Sequence, residues 1–118
     1  MKKISVTELT AFACDALQKA GLSEDDAKIA ADVLVTTDTF GVYSHGTKNL
    51  YQYILKMQAG GLDAHAKPSV EKEGLSWALV NGNSALGMLS AAKAMEIAIG
   101  KAKKTGIAYV GAYNSSHF

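Results

Sequence analysis

The hydrophobic repeat of this chain changes character once, between Gly60-Gly61 and Pro68, and that change limits the folds open to it. Before the glycine pair, apolar residues recur at the spacing of amphipathic helices. After Pro68 they gather into short runs on either side of one long helical repeat. Three helices followed by strand, helix and strand predict an α/β architecture. The expected division is a helical N-terminal part, residues 1–61, and the start of an α/β part, residues 62–118.

Within the first part, Ser5 and Glu8 have the form of a capping box, and Leu9, Phe12, Ala13, Ala16 and Leu17 carry a helix to a stop at Gly21. Ser23 caps a second helix, with Glu24, Asp25 and Asp26 in its first turn and Ala27, Ala30, Ala31 and Leu34 on its apolar face. It should end within residues 39–41. A third starts near Thr47, shows Leu50, Tyr53, Ile54 and Met57 on one face and stops at Gly60-Gly61.

Further on, Ser69–Glu73 reads as extended and Trp77–Asn81 as a strand. Met88, Ala91, Ala92, Met95 and Ile99 form one face of a fourth helix, with Ser84 as its N-cap candidate and Gly106 as its end. Residues 107–111 predict a buried strand. One strand-helix-strand unit cannot bury both faces of a parallel sheet, so sheet partners from a longer protein are expected.

The 12 Lys+Arg residues nearly balance 11 Asp+Glu, and no basic stripe marks a nucleic-acid partner. Lys101, Lys103 and Lys104 suit a helix C-terminus instead. No apolar run nears the ~20 residues that span a bilayer, and the start lacks the apolar core of a signal peptide. The expectation is a cytoplasmic protein without a membrane partner. Cys14 is the single cysteine, which leaves no internal disulfide; its place on the first helical repeat reads as a small buried hydrophobe.

Residues that carry chemistry gather at two places. In D-T-F-G-V-Y-S-H-G-T-K-N-L-Y-Q-Y, residues 38–53, His45 sits between Ser44 and Gly46 at a break between helices. At a helix N-terminus, free backbone N–H groups and the dipole favour an anionic ligand, and Gly46 allows its close approach. The same residues also read as an N-cap and a turn without further role. The second place is the closing A-Y-N-S-S-H-F, where a strand delivers its carboxyl end, the edge of an α/β sheet that ligands favour.

Other chemistries fit poorly. No G-x-G-x-x-G follows a strand, and residues 82–87, G-N-S-A-L-G, place Met88 and Leu89 where a P-loop needs Lys and Ser/Thr. His45, His65 and His117 lack the spacing of a zinc site, so no metal is expected. Ser44 and His45 make a poor nucleophile pair, because adjacent side chains on a turn diverge and no G-x-S-x-G elbow is present. Phe40, Tyr43, Tyr51 and Tyr53 read as core and pocket lining.

Residues 38–53 with the Gly60-Gly61 stop, the G-N-S-A-L-G segment with the A-A-K-A-M-E-I-A-I-G-K-A repeat after it, and the closing N-S-S-H-F together resemble the malate/L-lactate dehydrogenase family. This is a family of NAD(P)-dependent oxidoreductases that includes ureidoglycolate, diketogulonate and sulfolactate enzymes. The resemblance covers the whole chain in order. It implies the family's own non-Rossmann fold, NAD or NADP as cofactor, and reversible hydride transfer between nicotinamide and the carbon of a 2-hydroxy/2-oxo acid. It also implies a homodimer of considerably longer chains, so this chain is expected to be an N-terminal portion, apparently truncated and inactive alone. The competing reading is a non-catalytic module that dimerises or binds small molecules.

By the resemblance, His45 is the candidate proton donor to the carbonyl oxygen, a task that suits an imidazole titrating near neutrality. Ser44 would hydrogen-bond the substrate. His117 would stand near nicotinamide and substrate, with the acid/base role open between the two histidines. Asn114, Ser116 and His117 are implied at the cofactor. Where the family has an arginine four residues after the S-H-G histidine to clamp the substrate carboxylate, this chain has Asn49, which offers no charged fork. Lys48 is next to it, about a hundred degrees around a helix. Both stand as substrate-binding candidates.

Overall fold

The computed structural model describes residues 2–117. Their elements run α1 (Val6–Lys19), α2 (Glu24–Thr39), a 3-10 turn (Thr47–Asn49), α3 (Leu50–Gln58), β1 (Ser69–Glu73), β2 (Trp77–Asn81), α4 (Gly87–Thr105) and β3 (Tyr109–Tyr113). They fall into two compact units, Met1–His65 and Ala66–Phe118.

In the first unit α1 starts where its capping box says it should. Ser5 Oγ accepts from the Glu8 N–H at 3.1 Å, and the Glu8 carboxylate reaches back to the Ser5 N–H. Ser23 caps α2 through the Asp26 N–H. The two helices pack on each other, and their buried residues are largely small: Ala13 of α1 and Ala27, Ala30 and Ala31 of α2, together with Leu17, Leu34 and Val35. Truncating a leucine such as Leu17 to alanine at a site this closely packed costs roughly 2–5 kcal/mol. Leu50, Tyr53 and Met57 are the buried face of α3.

Several side chains read as core are not. Of the four aromatic residues, only Tyr53 is buried; Phe40 is 79% exposed, and Tyr43 and Tyr51 are exposed too. Cys14 is half-buried rather than enclosed. Phe12, on the helical repeat of α1, faces outward.

The second unit is a three-stranded sheet in the order β1-β2-β3. β1 and β2 form an antiparallel pair with a bulge between Val70 and Lys72, and β2 and β3 run parallel. α4 makes the crossover and packs on both parallel strands. Ala78 and Val80 of β2, with Ala85, Leu86, Met88 and Leu89 at the start of α4, make the core. β3 departs from expectation: it begins at Tyr109 instead of Ile107 and is not buried, Ile107 being 75% and Tyr109 76% exposed. The reason is its place at a sheet edge, in a unit whose one helix leaves most of a parallel sheet to be covered. The Met95 and Ile99 end of the α4 stripe is exposed for the same reason.

Lys101 pins the far end of α4 to the sheet. Its Nζ lies 2.7 Å from a Glu73 carboxylate oxygen and donates to the Gly74 carbonyl at 2.7 Å. This hydrogen bond and the lysine charge hold the Glu73 carboxyl below its ordinary value of 4.5. A carboxyl depressed in the folded state adds stability that is present above its unfolded value and lost as pH falls through the folded one. Thermal denaturation of Lys101→Met is therefore expected to show a smaller acid-induced loss below about pH 4.5 than the parent, discounted for the exposure of Glu73.

Candidate functional site

The S-H-G turn leaves the C-terminal end of α2. Gly41, at φ +79°, donates to the Asp38 carbonyl at 2.9 Å, and the Val42 N–H reaches the Thr37 carbonyl at 3.2 Å. The chain then doubles back, with His45 N donating to the Val42 carbonyl at 3.0 Å. On its outgoing side the Asp38 carboxylate oxygen Oδ2 accepts from both Thr47 N, at 3.1 Å, and Thr47 Oγ1, at 2.5 Å. Asn49 Nδ2 donates to the Ser44 carbonyl at 3.0 Å, which ties the tip of the turn to the next helix.

His45 does stand just before a helical start, with Gly46 at the N-cap of the turn that leads into α3. α3 itself starts only at Leu50, and a 3-10 turn fills Thr47–Asn49. The Thr47 N–H that would greet an anionic ligand already has one, the Asp38 carboxylate. Gly46 is buried, and a Cβ built on it would fall 1.8 Å from Asp38 Oδ1 and 2.4 Å from Cγ. The glycine makes room for that carboxylate.

Ser44 and His45 are likewise closer than expected. Ser44 Oγ lies 2.9 Å from His45 Nδ1, so the two adjacent side chains meet instead of diverging. The contact engages the ring at Nδ1 and fixes it relative to Ser44. Asn49, in the arginine position of the resemblance, spends its amide on the Ser44 carbonyl. Lys48 is exposed and borders a cavity of about 640 Å³ with Lys2, Lys3, Asp38, Tyr43 and Thr47.

The closing motif is built on the parallel pair. Register places Asn81 opposite Tyr113, so β2 and β3 end at one level and their outgoing loops run side by side. Gly82 N donates to the Tyr113 carbonyl at 2.8 Å and Ser84 N to the Asn114 carbonyl at 2.9 Å. Asn114, at φ +50°, sends Nδ2 to Asn81 Oδ1 at 3.0 Å. Ser84 does not cap α4; its backbone is at φ +64° and the N-cap position is Leu86, without a side-chain bond. Ser116 does that work from 29 residues away, its Oγ accepting from Gly87 N at 2.7 Å.

Asn114 and Ser116 thus stitch the strand ends together. They also line, with Ala94, Met95, Val110 and Tyr113, a cleft of about 420 Å³ between α4 and β3. Tyr113 Oη donates to the Glu71 carboxylate across the sheet, which pushes its phenol above the ordinary value. His117 is exposed at the end of this loop, and Phe118, the last residue of the motif, lies outside the described residues.

A family model described as malate/L-lactate dehydrogenase matches residues 4–118. The chain belongs to the malate/L-lactate dehydrogenase family. A malate/(S)-sulfolactate dehydrogenase of Methanothermus fervidus is 42% identical over 115 residues, which are 98% of this chain and 34% of that protein. An NAD(+) ureidoglycolate dehydrogenase of Escherichia coli K12 is 32% identical over 115 residues, 98% of this chain and 33% of the relative. The solved malate dehydrogenase of Pyrococcus horikoshii OT3 superposes with a TM-score of 0.95 at 42% identity, over 99% of this chain and 34% of its own.

The chain therefore spans about a third of the length of these malate/L-lactate dehydrogenase relatives. Four helices and a three-stranded sheet without a G-x-G-x-x-G loop are the family's own fold for this portion, as expected from the motifs. Among the described residues no helix is long and apolar enough to cross a membrane. Asp38 was assigned no role from sequence. The signal was present, since a carboxylate in the last turn of a helix opposes the dipole and needs a reason to be there.

Proposed function

We propose that the complete protein is an NAD(P)-dependent oxidoreductase that interconverts a 2-oxo acid and its 2-hydroxy acid, with His45 as proton donor and acceptor. The observation that carries this reading is the family match along the chain, within which His45 stands on the S-H-G turn. A nicotinamide supplies or takes the hydride at the substrate carbon when bound. In the reducing direction His45 holds a proton and delivers it to the carbonyl oxygen as charge develops there; in the oxidising direction the neutral ring takes it back. Ser44 keeps the ring oriented through Nδ1.

The cofactor side of the reading rests on the cleft between α4 and β3, which extends to the loop after β3. Its wall of Ala94, Met95 and Val110 suits a flat apolar ring, and Asn114, Ser116 and His117 supply polar groups at its rim or beside it. His117 assists there. All 12 Lys+Arg residues of this chain are lysines, so a carboxylate clamp from this portion is Lys48, a point charge rather than a fork. Exposed Phe40 and Tyr51 favour a homodimer.

A panel of 2-oxo acids offered to the complete protein with NADH and with NADPH tests the reading. Acids bearing a second anionic group come first, since malate and sulfolactate, named in the relatives, both carry one. Loss of reduced nicotinamide with at least one acid is expected. A protein that binds the acids or dimerises yet oxidises neither cofactor would be the non-catalytic module.

A further inference from the structure

Asp38 has the geometry of a residue placed for something other than helix stability. It lies in the last turn of α2, where the negative end of the dipole disfavours a carboxylate, and no basic side chain occupies that turn. It nevertheless holds both ends of the S-H-G turn. Its backbone carbonyl takes the Gly41 N–H at 2.9 Å where the turn begins, and its carboxylate takes Thr47 N and Oγ1 where the turn ends. The carboxylate is partly buried and sits in the space a side chain at Gly46 would fill.

We propose that Asp38 is the positioning residue of the proton donor: its side chain closes the ten-residue loop 38–47 and so fixes where the His45 ring stands. The inference rests on the reading of His45 given above. Two further bonds confine the tip, His45 N to the Val42 carbonyl and Asn49 Nδ2 to the Ser44 carbonyl, but neither ties the outgoing end back to α2. The Asp38–Thr47 pair does so. Reacting groups displaced by about 1 Å lose on the order of 10²-fold in rate, which sets the size of effect expected when the tether is cut.

In the complete enzyme, Asp38→Ala is expected to lower kcat roughly 10²-fold while KM moves less than about threefold. Asp38→Asn keeps the shape and an acceptor oxygen for Thr47, and should restore kcat to within about tenfold of the parent. A role confined to folding gives the opposite pattern: a lower Tm, but an unchanged kcat in fully folded Asp38→Ala protein. That result overturns the proposal. Should Asp38→Ala not fold, Thr47→Val removes one of the two donors and is expected to cost several-fold in kcat; an unchanged kcat there overturns it equally. His45→Gln assayed beside them separates the two readings. Turnover that survives His45→Gln defeats the role of His45 itself, whereas loss there with full activity in Asp38→Ala defeats only the tether.

Discussion

Replacing His45 by glutamine in the complete enzyme is expected to lower kcat by roughly 10²- to 10⁴-fold, the usual worth of a positioned general acid. At 1.36 kcal/mol per decade this is about 3–5 kcal/mol of barrier. Glutamine keeps a polar group of similar reach for Ser44 Oγ, 2.9 Å from the native Nδ1, but has no proton to give near neutral pH. The turn should stay folded, because the bonds of Asp38 with Thr47 and of Asn49 with the Ser44 carbonyl still hold it. Steady-state rates at saturating 2-oxo acid, with circular dichroism as the check on folding, decide the matter. A kcat within about threefold of the parent would remove His45 from the chemistry and leave the S-H-G turn a structural cap.

A large structural effect is also expected at Gly82. A Cβ there would lie 2.7 Å from the Asn114 carbonyl oxygen, 2.7 Å from Ser90 Oγ and 2.9 Å from Ser115 Cβ. The first of these is backbone and cannot step aside as a flexible side chain does. Relief requires the two loops to part, which breaks the Gly82 N–Tyr113 O and Ser84 N–Asn114 O bonds and lifts Ser116 off the first turn of α4. Ser90, fully buried beneath this junction with an unpartnered hydroxyl, has no compensation to offer. Gly82→Ala should therefore cost roughly 2–4 kcal/mol by overpacking together with lost buried hydrogen bonds. Gly100→Ala is the control. It lies within α4 with nothing within 4 Å of the added methyl, and should stabilise by up to about 1 kcal/mol. Chemical denaturation of the two variants beside the parent measures the difference, and equal midpoints would show that the loop junction yields at little cost.

These two sites also mark how far the sequence was legible. Helices α1 and α2 could be read almost to the residue, because Ser5, Glu8 and Ser23 act on N–H groups three positions away and all the information is local. The start of α3 could not. Its approach is set by a carboxylate nine residues upstream, and a Thr-Lys-Asn stretch gives no sign that Asp38 will take the Thr47 N–H. The same holds for α4, whose cap is Ser116 and not the nearby Ser84; a serine 29 residues downstream becomes a cap only once β2 and β3 lie parallel and in register. Burial failed at Phe40, Met95 and Ile99 because periodicity reports which residues share a face and not whether anything in the same chain covers that face.

The candidate site divides in the same way. The positions of interest, Ser44, His45, Asn49, Asn114 and Ser116, were found by motif, but their bonds within the chain were not. Asn49 and Ser116 turn out to hold backbone, Asn49 at the Ser44 carbonyl and Ser116 at the Gly87 N–H.

The central claim is that hydride passes between a nicotinamide and C2 of a 2-oxo acid while His45 handles the proton at oxygen. It is tested most directly by supplying the complete enzyme with reduced cofactor deuterated at nicotinamide C4 and locating the label in the product by NMR. Deuterium on C2 of the 2-hydroxy acid, formed at a rate that collapses in His45→Gln, is the predicted result. A product carrying only solvent hydrogen at C2, or label transferred as fast by His45→Gln as by the parent, would contradict it.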